Sequence, residues 1–533
     1  MSEIQDTDKI FVPEEEEPPK KKFQLILIPA AITLVIMVVI FLLTAYISTK
    51  KYNVRDGIFG SPGTGLRNFQ VASGIIGTAL QNTLLVKVFM LAVCGVLSAA
   101  LCTIYKAMKK PGTVLTAACL WLVPLVLPSF MLTLAFIHLP DHTSILGAGL
   151  LHLLSEGLQT ISLFCFTAGI FAYLHMRKGI EAEKGAYSGL LTAILVWLLG
   201  NMTTNGILFV FQNAYPYSNT FDWAIFTNSF VGSTGAGNAI AVIKVLLQVL
   251  IGIIPVIYLR RRAGENHVEL SKASGEFWLF PIAGISLVPI LFGNKLADVI
   301  GDKWVSAAAN SILLAVGAGA FGCLIAWSLI RLMSRASGKA LGIIAIVLAA
   351  ALSCAFMEFM FFHRVISNDT LLPQVLTVIF DWRMVLVIII LAFILRNHKV
   401  NRPASLMAAL ALLAGAISWS GLYSAYIYGA SKRVSTLSYM YYGLIANIKT
   451  ISSSGSFSAY GMERLYWPWA LLIYAAPLLL GLGAALLMRK AFMKPEPRDD
   501  SPVPVPEQET QPGMNREDVS GGSAEAEPET QEP

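Results

Sequence analysis

The chain has 533 residues, 55% of them hydrophobic and 14% charged, with a mean hydropathy of +0.64 and a formal net charge of +6. That balance excludes an ordinary soluble domain and, with no dense basic patch interleaved with aromatics, a nucleic-acid-binding surface. It implies an all-α polytopic membrane protein, because a backbone in lipid must satisfy its own hydrogen bonds within the segment.

In chain order, residues 1–22 form a cytoplasmic segment containing Glu14 to Glu17 and Lys20 to Lys22. The apolar run that follows is too long for the core of a cleaved signal and reads as an anchor. Six spans are predicted near 23–47, 80–105, 112–137, 156–176, 186–210 and 237–259, which make a first half over 23–262. A cytoplasmic linker over 263–275 leads to a second half over 276–494, with spans near 276–294, 307–331, 340–362, 372–395, 403–427 and 467–488. From 495 to 533 the chain is acidic and rich in Pro, Gln and Ser, so it lacks the apolar surface needed to offset ordering entropy and reads as a disordered cytoplasmic tail.

Twelve spans place both termini on one side. Lys106, Lys109, Lys110, Arg177, Lys178, Arg260 to Arg262, Arg331, Arg335, Lys339, Arg396, Lys399, Arg402, Arg489 and Lys490 all fall on alternate loops of one side, which the positive-inside rule makes the cytoplasm. Lys50, Lys51, Arg55, Arg67, Lys432 and Arg433 run against this trend. The six cysteines all fall within predicted spans, where a disulfide framework or zinc cluster is not expected.

Internal repetition is visible. "QNTLLVKVF" opens the second span and "ANSILLAVG" the eighth, with Asn82 and Asn310 228 positions apart. "VIYLRRR" closes the sixth span and "ALLMRK" the twelfth, with Arg260 and Arg489 229 apart. Matching offsets at both ends imply two parallel six-helix repeats with a solute path at their interface.

Between the first two spans lies "GIFGSPGTGLRNF", with Gly57, Phe59, Gly60, Pro62, Gly65 and Asn68 as its marked residues. Together with the Asn-Thr-Leu that opens the next span, it resembles the N-terminal part of binding-protein-dependent carbohydrate ABC transporter permeases of the complex-saccharide subgroup. "LLSEGLQTISLFCFTAGI" and "GAGNAIAVIKVLLQVLIGIIPVIYLRRR" are similar to that family's fourth and last spans, and the second half to its partner permease. The resemblance implies two fused permease subunits in a bacterial plasma membrane, a cytoplasmic ATP-binding subunit, an extracellular solute-binding lipoprotein, and a rigid external turn facing the latter. Family permeases dock on the ATPase through a loop between the fourth and fifth spans of each half. Here Glu181, Ala182, Glu183, Gly185 and Ala186 echo its pattern at a different spacing, and "RNHKVNRPAS" in the second half leaves no room for a docking helix.

Several polar residues inside spans are candidates for the solute path. Glu358 is an intramembrane acid, a functional candidate by default unless it reaches water or Arg364. Asp381 and Arg383 lie two apart and so do not face one another on a helix; either they line a wet cavity with Trp382, a ring suited to stacking on sugars, or they anchor at the interface. Asn201 and Asn205 could bind solute hydroxyls or cement helix packing, with packing favoured. Lys87 and Lys244 are expected to snorkel to the outer interface. His152 and Glu156 share a helical face but lack a third metal ligand, so neither a metal nor another cofactor is expected. "GSTGAGN" lacks the lysine of a phosphate loop, and no Walker A sequence or nucleophile triad occurs, so no enzymatic activity is expected.

These features lead to a permease component of an importer for saccharides or similar polar solutes, working by alternating access. The alternative is a degenerate permease homologue acting as a non-transporting accessory or scaffold subunit. A third class, an enzyme acting on lipid-linked sugars, is disfavoured because no loop carries a pair of catalytic acids.

Overall fold

A helix begins within a few residues of nearly every predicted span. The computed structural model describes residues 25–53, 55–130, 145–200, 219–230, 233–262, 276–291, 300–353, 370–422, 435–444 and 467–493. Among these no strand occurs, and the lone Lys50–Gly63 bridge stands outside any sheet. The segments at 1–22, 263–275 and 495–533 lie outside the described residues.

The helices of the first half are α1 (Ile28–Ser48), α2 (Gly57–Gly60), α3 (Arg67–Ala107), α4 (Pro111–Leu120), α5 (Leu122–Val126), α6 (Ile145–His152), α7 (Leu158–Met176), α8 (Ala182–Leu198), α9 (Phe221–Phe230) and α10 (Thr234–Arg262). Those of the second are α11 (Leu279–Leu291), α12 (Lys303–Arg335), α13 (Gly338–Ser353), α14 (Leu372–Leu376), α15 (Trp382–Asn397), α16 (Pro403–Ser420) and α17 (Trp467–Phe492). Seven helical segments among the described residues are long and apolar enough to cross a membrane, or eight if α14 and α15, bent by 48° at their junction, form one span. The chain is thus a helical membrane protein. Shorter apolar helices at Pro111–Val126, Glu276–Leu291 and Gly338–Leu352 occupy three other predicted spans.

Burial follows composition. α7, apolar but for Gln159 and a few hydroxyl residues in its body, and the wholly apolar body of α15 are enclosed almost completely. They touch through the stacked rings of Phe171 and Phe393, 6.3 Å apart. The outer helices leave apolar residues open, among them Val35 and Leu42 of α1, Leu250 and Ile254 of α10 and Leu479 of α17, as a surface solvated by lipid requires. Packing crosses between the halves in both directions: α10 lies on α13, and α17 lies on α4 and α5. α1 also reaches the second half, against α12 and α13.

The second predicted span is extended. α3 starts at Arg67 and its 41 residues measure about 60 Å, twice the hydrocarbon thickness, so it cannot lie upright wholly within lipid. Its early turns expose Gln70, Ser73, Thr78 and Gln81, a polar face that hides the helix from a hydropathy reading.

Residues 49–68 are a stapled strap. The Asn68 amide donates to the Ser48 and Lys50 carbonyls, both at 2.8 Å, and so ties the end of α1 to the start of α3. Thr64 N and Lys51 N donate to Thr49 O and Pro62 O, and the Ser61 hydroxyl donates to Gly57 O at 2.6 Å. Gly57 and Gly65 hold φ of +68° and +59°, which other residues adopt only with strain. Gly60 and Pro62 lie at the surface, and the Phe59 ring is 77% exposed.

α7 and α8 approach closely at Gly185 and Gly189. A Cβ on Gly185 would stand 2.7 Å from Phe171 O, and one on Gly189 2.8 Å from the Ala168 Cα. This small-xxx-small pattern lets two backbones meet. Replacing either glycine by alanine is expected to destabilise the fold by about 1–3 kcal/mol, since a backbone rather than a side-chain tip must move. The shift of the unfolding midpoint in mixed micelles measures it, with Gly74→Ala, which meets open space, as the control.

Candidate functional site

Each central helix begins with an irregular turn. In the first half a π turn, Leu153–Gly157, joins α6 to α7; in the second a 3₁₀ turn, Thr377–Phe380, joins α14 to α15. Both interrupt a helix within the membrane, where such breaks collect at functional positions.

The π turn carries Glu156, which accepts a hydrogen bond from Lys87 Nζ at 2.9 Å. Both side chains are under 5% exposed. The Lys87 ammonium also lies 5.7 Å from the centroid of the Trp197 ring. His152, one turn earlier, is buried, and among the described residues its Nδ1 has no hydrogen-bond partner. Cys94 Sγ rests 3.7 Å from Gly157 O on the same wall.

A second buried pair follows. Lys244 of α10 donates to Asp222 of α9 at 2.5 Å. The expected snorkelling of Lys87 and Lys244 is therefore wrong: each is at most 3% exposed and points inward to a carboxylate. Sequence distance hides the partners, which lie 69 and 22 residues away. Arg331, counted above as a cytoplasmic loop residue, is likewise inside α12 and buried, donating to Glu276 at 2.6 Å beside Trp327.

Asp381 and Arg383 correct another expectation. They do pair, through Arg383 Nη2 to Asp381 Oδ2 at 2.7 Å and Arg383 Nε to Asp381 Oδ1 at 2.9 Å. The rule that residues two apart diverge holds within a helix, whereas Asp381 is extended and caps α15 from outside, accepting from Arg383 N. Arg383 Nη1 also reaches Leu125 O of α5, at 3.5 Å, so the pair sits where the two halves meet. Trp382 is half-buried beside them. Asn201, Asn205 and Glu358 lie outside the described residues.

The two halves share one hydrogen-bonded clamp. In the first, the Asn82 amide donates to Asn219 O, and the Thr83 hydroxyl accepts from Phe221 N at 3.0 Å. In the second, the Asn310 amide donates to Ser435 O, and the Ser311 hydroxyl accepts from Leu437 N at 2.9 Å. Counting from these clamps, Lys87 corresponds to Ala315 and Asp222 to Ser438; by the offset of the terminal arginines, Lys244 corresponds to Ile473. At those positions the second half carries Ala315, Ser438 and Ile473, so neither lysine pair recurs there.

The residues that echo a coupling loop lie at the junction of α7 and α8 and in the first turns of α8. α7 and α8 are joined by residues 177–181 alone, and α15 and α16 by residues 398–402. Ala182, Glu183, Gly185 and Ala186 belong to α8, with Glu181 just before it; Glu183 takes Lys106 at 2.9 Å, and Gly185 is the packing contact described above. No family model matches the sequence, and searches of curated proteins and of solved structures find no match either.

In the second of these links, burial and then the charges of Lys178, His175 and Arg177 push the His398 imidazole down to about 4. Above the ordinary value of about 6.5 the ring is neutral in both folded and unfolded chains. Between there and about 4 only the unfolded chain takes the proton, so stability falls as pH drops through that window. His398→Gln is expected to flatten that part of the stability curve, read as unfolding midpoints between pH 7 and 4.

Proposed function

We propose that the chain is a fused pair of permease-like halves that carries a polar solute across a bacterial plasma membrane by alternating access. The observation that carries this reading is the clamp made by Asn82–Thr83 and again by Asn310–Ser311, on chain segments in the same order, as two parallel repeats of six spans require. The reciprocal seating of α10 on α13 and of α17 on α4 and α5 supports a pseudo-two-fold axis between the halves. The buried charges beside the broken helices are the groups a solute path would use. Saccharides follow from the resemblance of the strap region, whose exposed Phe59 and Pro62 would then face a solute-binding lipoprotein.

A second reading, a non-transporting accessory subunit, is favoured by the two five-residue links, since neither offers a surface on which an ATP-binding subunit docks. Affinity purification of the tagged full chain from its native membrane separates the two. Recovery of a nucleotide-binding protein together with a solute-binding lipoprotein supports an importer. Recovery of neither, under conditions that keep a known importer assembled, favours the accessory role unless the chain itself moves solute in proteoliposomes.

A further inference from the structure

Lys87 and Glu156 stand on separate elements, α3 and the π turn, and each neutralises the other. Parting them as an intact ion pair would take from each charge the opposite charge that neutralises it in a site closed to water, which is strongly unfavourable. The cluster holds what is needed to avoid this. The Trp197 face already lies 5.7 Å from the Lys87 ammonium and can keep a cation. His152, buried with Nδ1 unpartnered among the described residues, offers a ring nitrogen one turn away that can accept a hydrogen bond from a neutral carboxyl.

We propose that Lys87, Glu156 and His152 form a proton-coupled latch, in which α3 and the π turn part when Glu156 takes up one proton from the aqueous phase. The balance is simple: the carboxylate becomes a carboxyl, Lys87 stays an ammonium on Trp197, and the cluster gains one positive charge. Among the described residues, the titratable and charged groups around the pair include Lys87 and Cys94 from α3 and, one turn before Glu156, His152 from α6, while α8 contributes the uncharged Trp197. The counterpart of Lys87 in the second half is Ala315, so the latch belongs to one half and makes the two halves inequivalent. Where the chain transports, protons would drive the step that a docked ATPase drives elsewhere. The latch rests on the same buried cluster as the transport reading but needs no solute to open.

Cys94 reports the opening, because its sulfur lies against Gly157 O and is fully buried while the latch is closed. The full chain, keeping Cys94 as its only cysteine, is placed in lipid nanodiscs and labelled with N-ethylmaleimide between pH 8 and 5. Each rate is divided by that of the same chain unfolded at the same pH, which removes the thiol's own titration. Uptake of one proton per opening makes this ratio rise as pH falls, by up to about tenfold per unit. Glu156→Gln, permanently neutral, is expected to give a high ratio that no longer changes with pH, and Lys87→Met serves as a second released variant. A flat ratio in the parent chain overturns the proposal, as does a Glu156→Gln chain that titrates like its parent. A titrating ratio in a chain that moves no solute leaves the latch standing and removes the transport reading.

Discussion

Lys87→Met is expected to cost the folded protein about 3–5 kcal/mol, because it removes the cation that neutralises the Glu156 carboxylate in a site closed to water. The cost arises from the partner left behind rather than from the attraction lost. Lys87→Met combined with Glu156→Gln should therefore recover most of it, since a neutral amide is far cheaper to bury than a carboxylate. Midpoints of unfolding in mixed micelles, compared across the two single variants and the double, decide the matter. A lysine that snorkelled to the interface would lose under about 1 kcal/mol on the same substitution, and the double variant would show no recovery. The equivalent change at Lys244 should behave alike, with Asp222 as the acid that loses its cation.

Asp381→Ala should fall in the same range, about 3–5 kcal/mol, for two reasons that separate experimentally. It removes the N-cap of α15, a loss of about 0.5–2 kcal/mol, and it leaves the buried Arg383 guanidinium without its counter-charge. Asp381→Asn keeps an oxygen for the cap and forfeits only the charge, so it should be milder than the alanine variant. Because Arg383 also touches Leu125 O across the junction of the halves, a transporting chain should lose activity with either change. Equal unfolding midpoints for Asp381→Ala and the parent chain would mean that the bidentate pair contributes nothing to α15.

Glu156 and His152 illustrate what is legible in the sequence. Their spacing marks them as sharing a helical face, which invites a metal reading, yet the partner that matters, Lys87, is 69 residues away and on another helix. No local pattern announces such a pair. The only signal is energetic: two intramembrane charges of opposite sign, each too expensive to leave alone. Applied to Lys87, Glu156 and Lys244, that rule demands pairing on charge and cost alone, but Asp222 lies between the predicted spans 186–210 and 237–259 and carries no such mark. Asp381 and Arg383 stand out in the sequence as polar residues in an apolar run, but their geometry does not, since whether residue 381 opens a helix or precedes it depends on the bend before α15.

By itself the sequence determined that the chain is helical and membrane-embedded, because apolar length and the backbone's need for internal hydrogen bonds are local properties. It placed a helix at or near each predicted span, though not α2, α6 or α9, and the strap's glycines and Asn68 are local too. Tertiary structure alone decided that α3 begins as early as Arg67, that Gly185 and Gly189 are packing contacts against α7, and that two lysines face inward. These facts share one physical origin. Burial inside a bundle is set by what the neighbouring helices bring to a position, and a side chain's own residue type says only what that burial will cost.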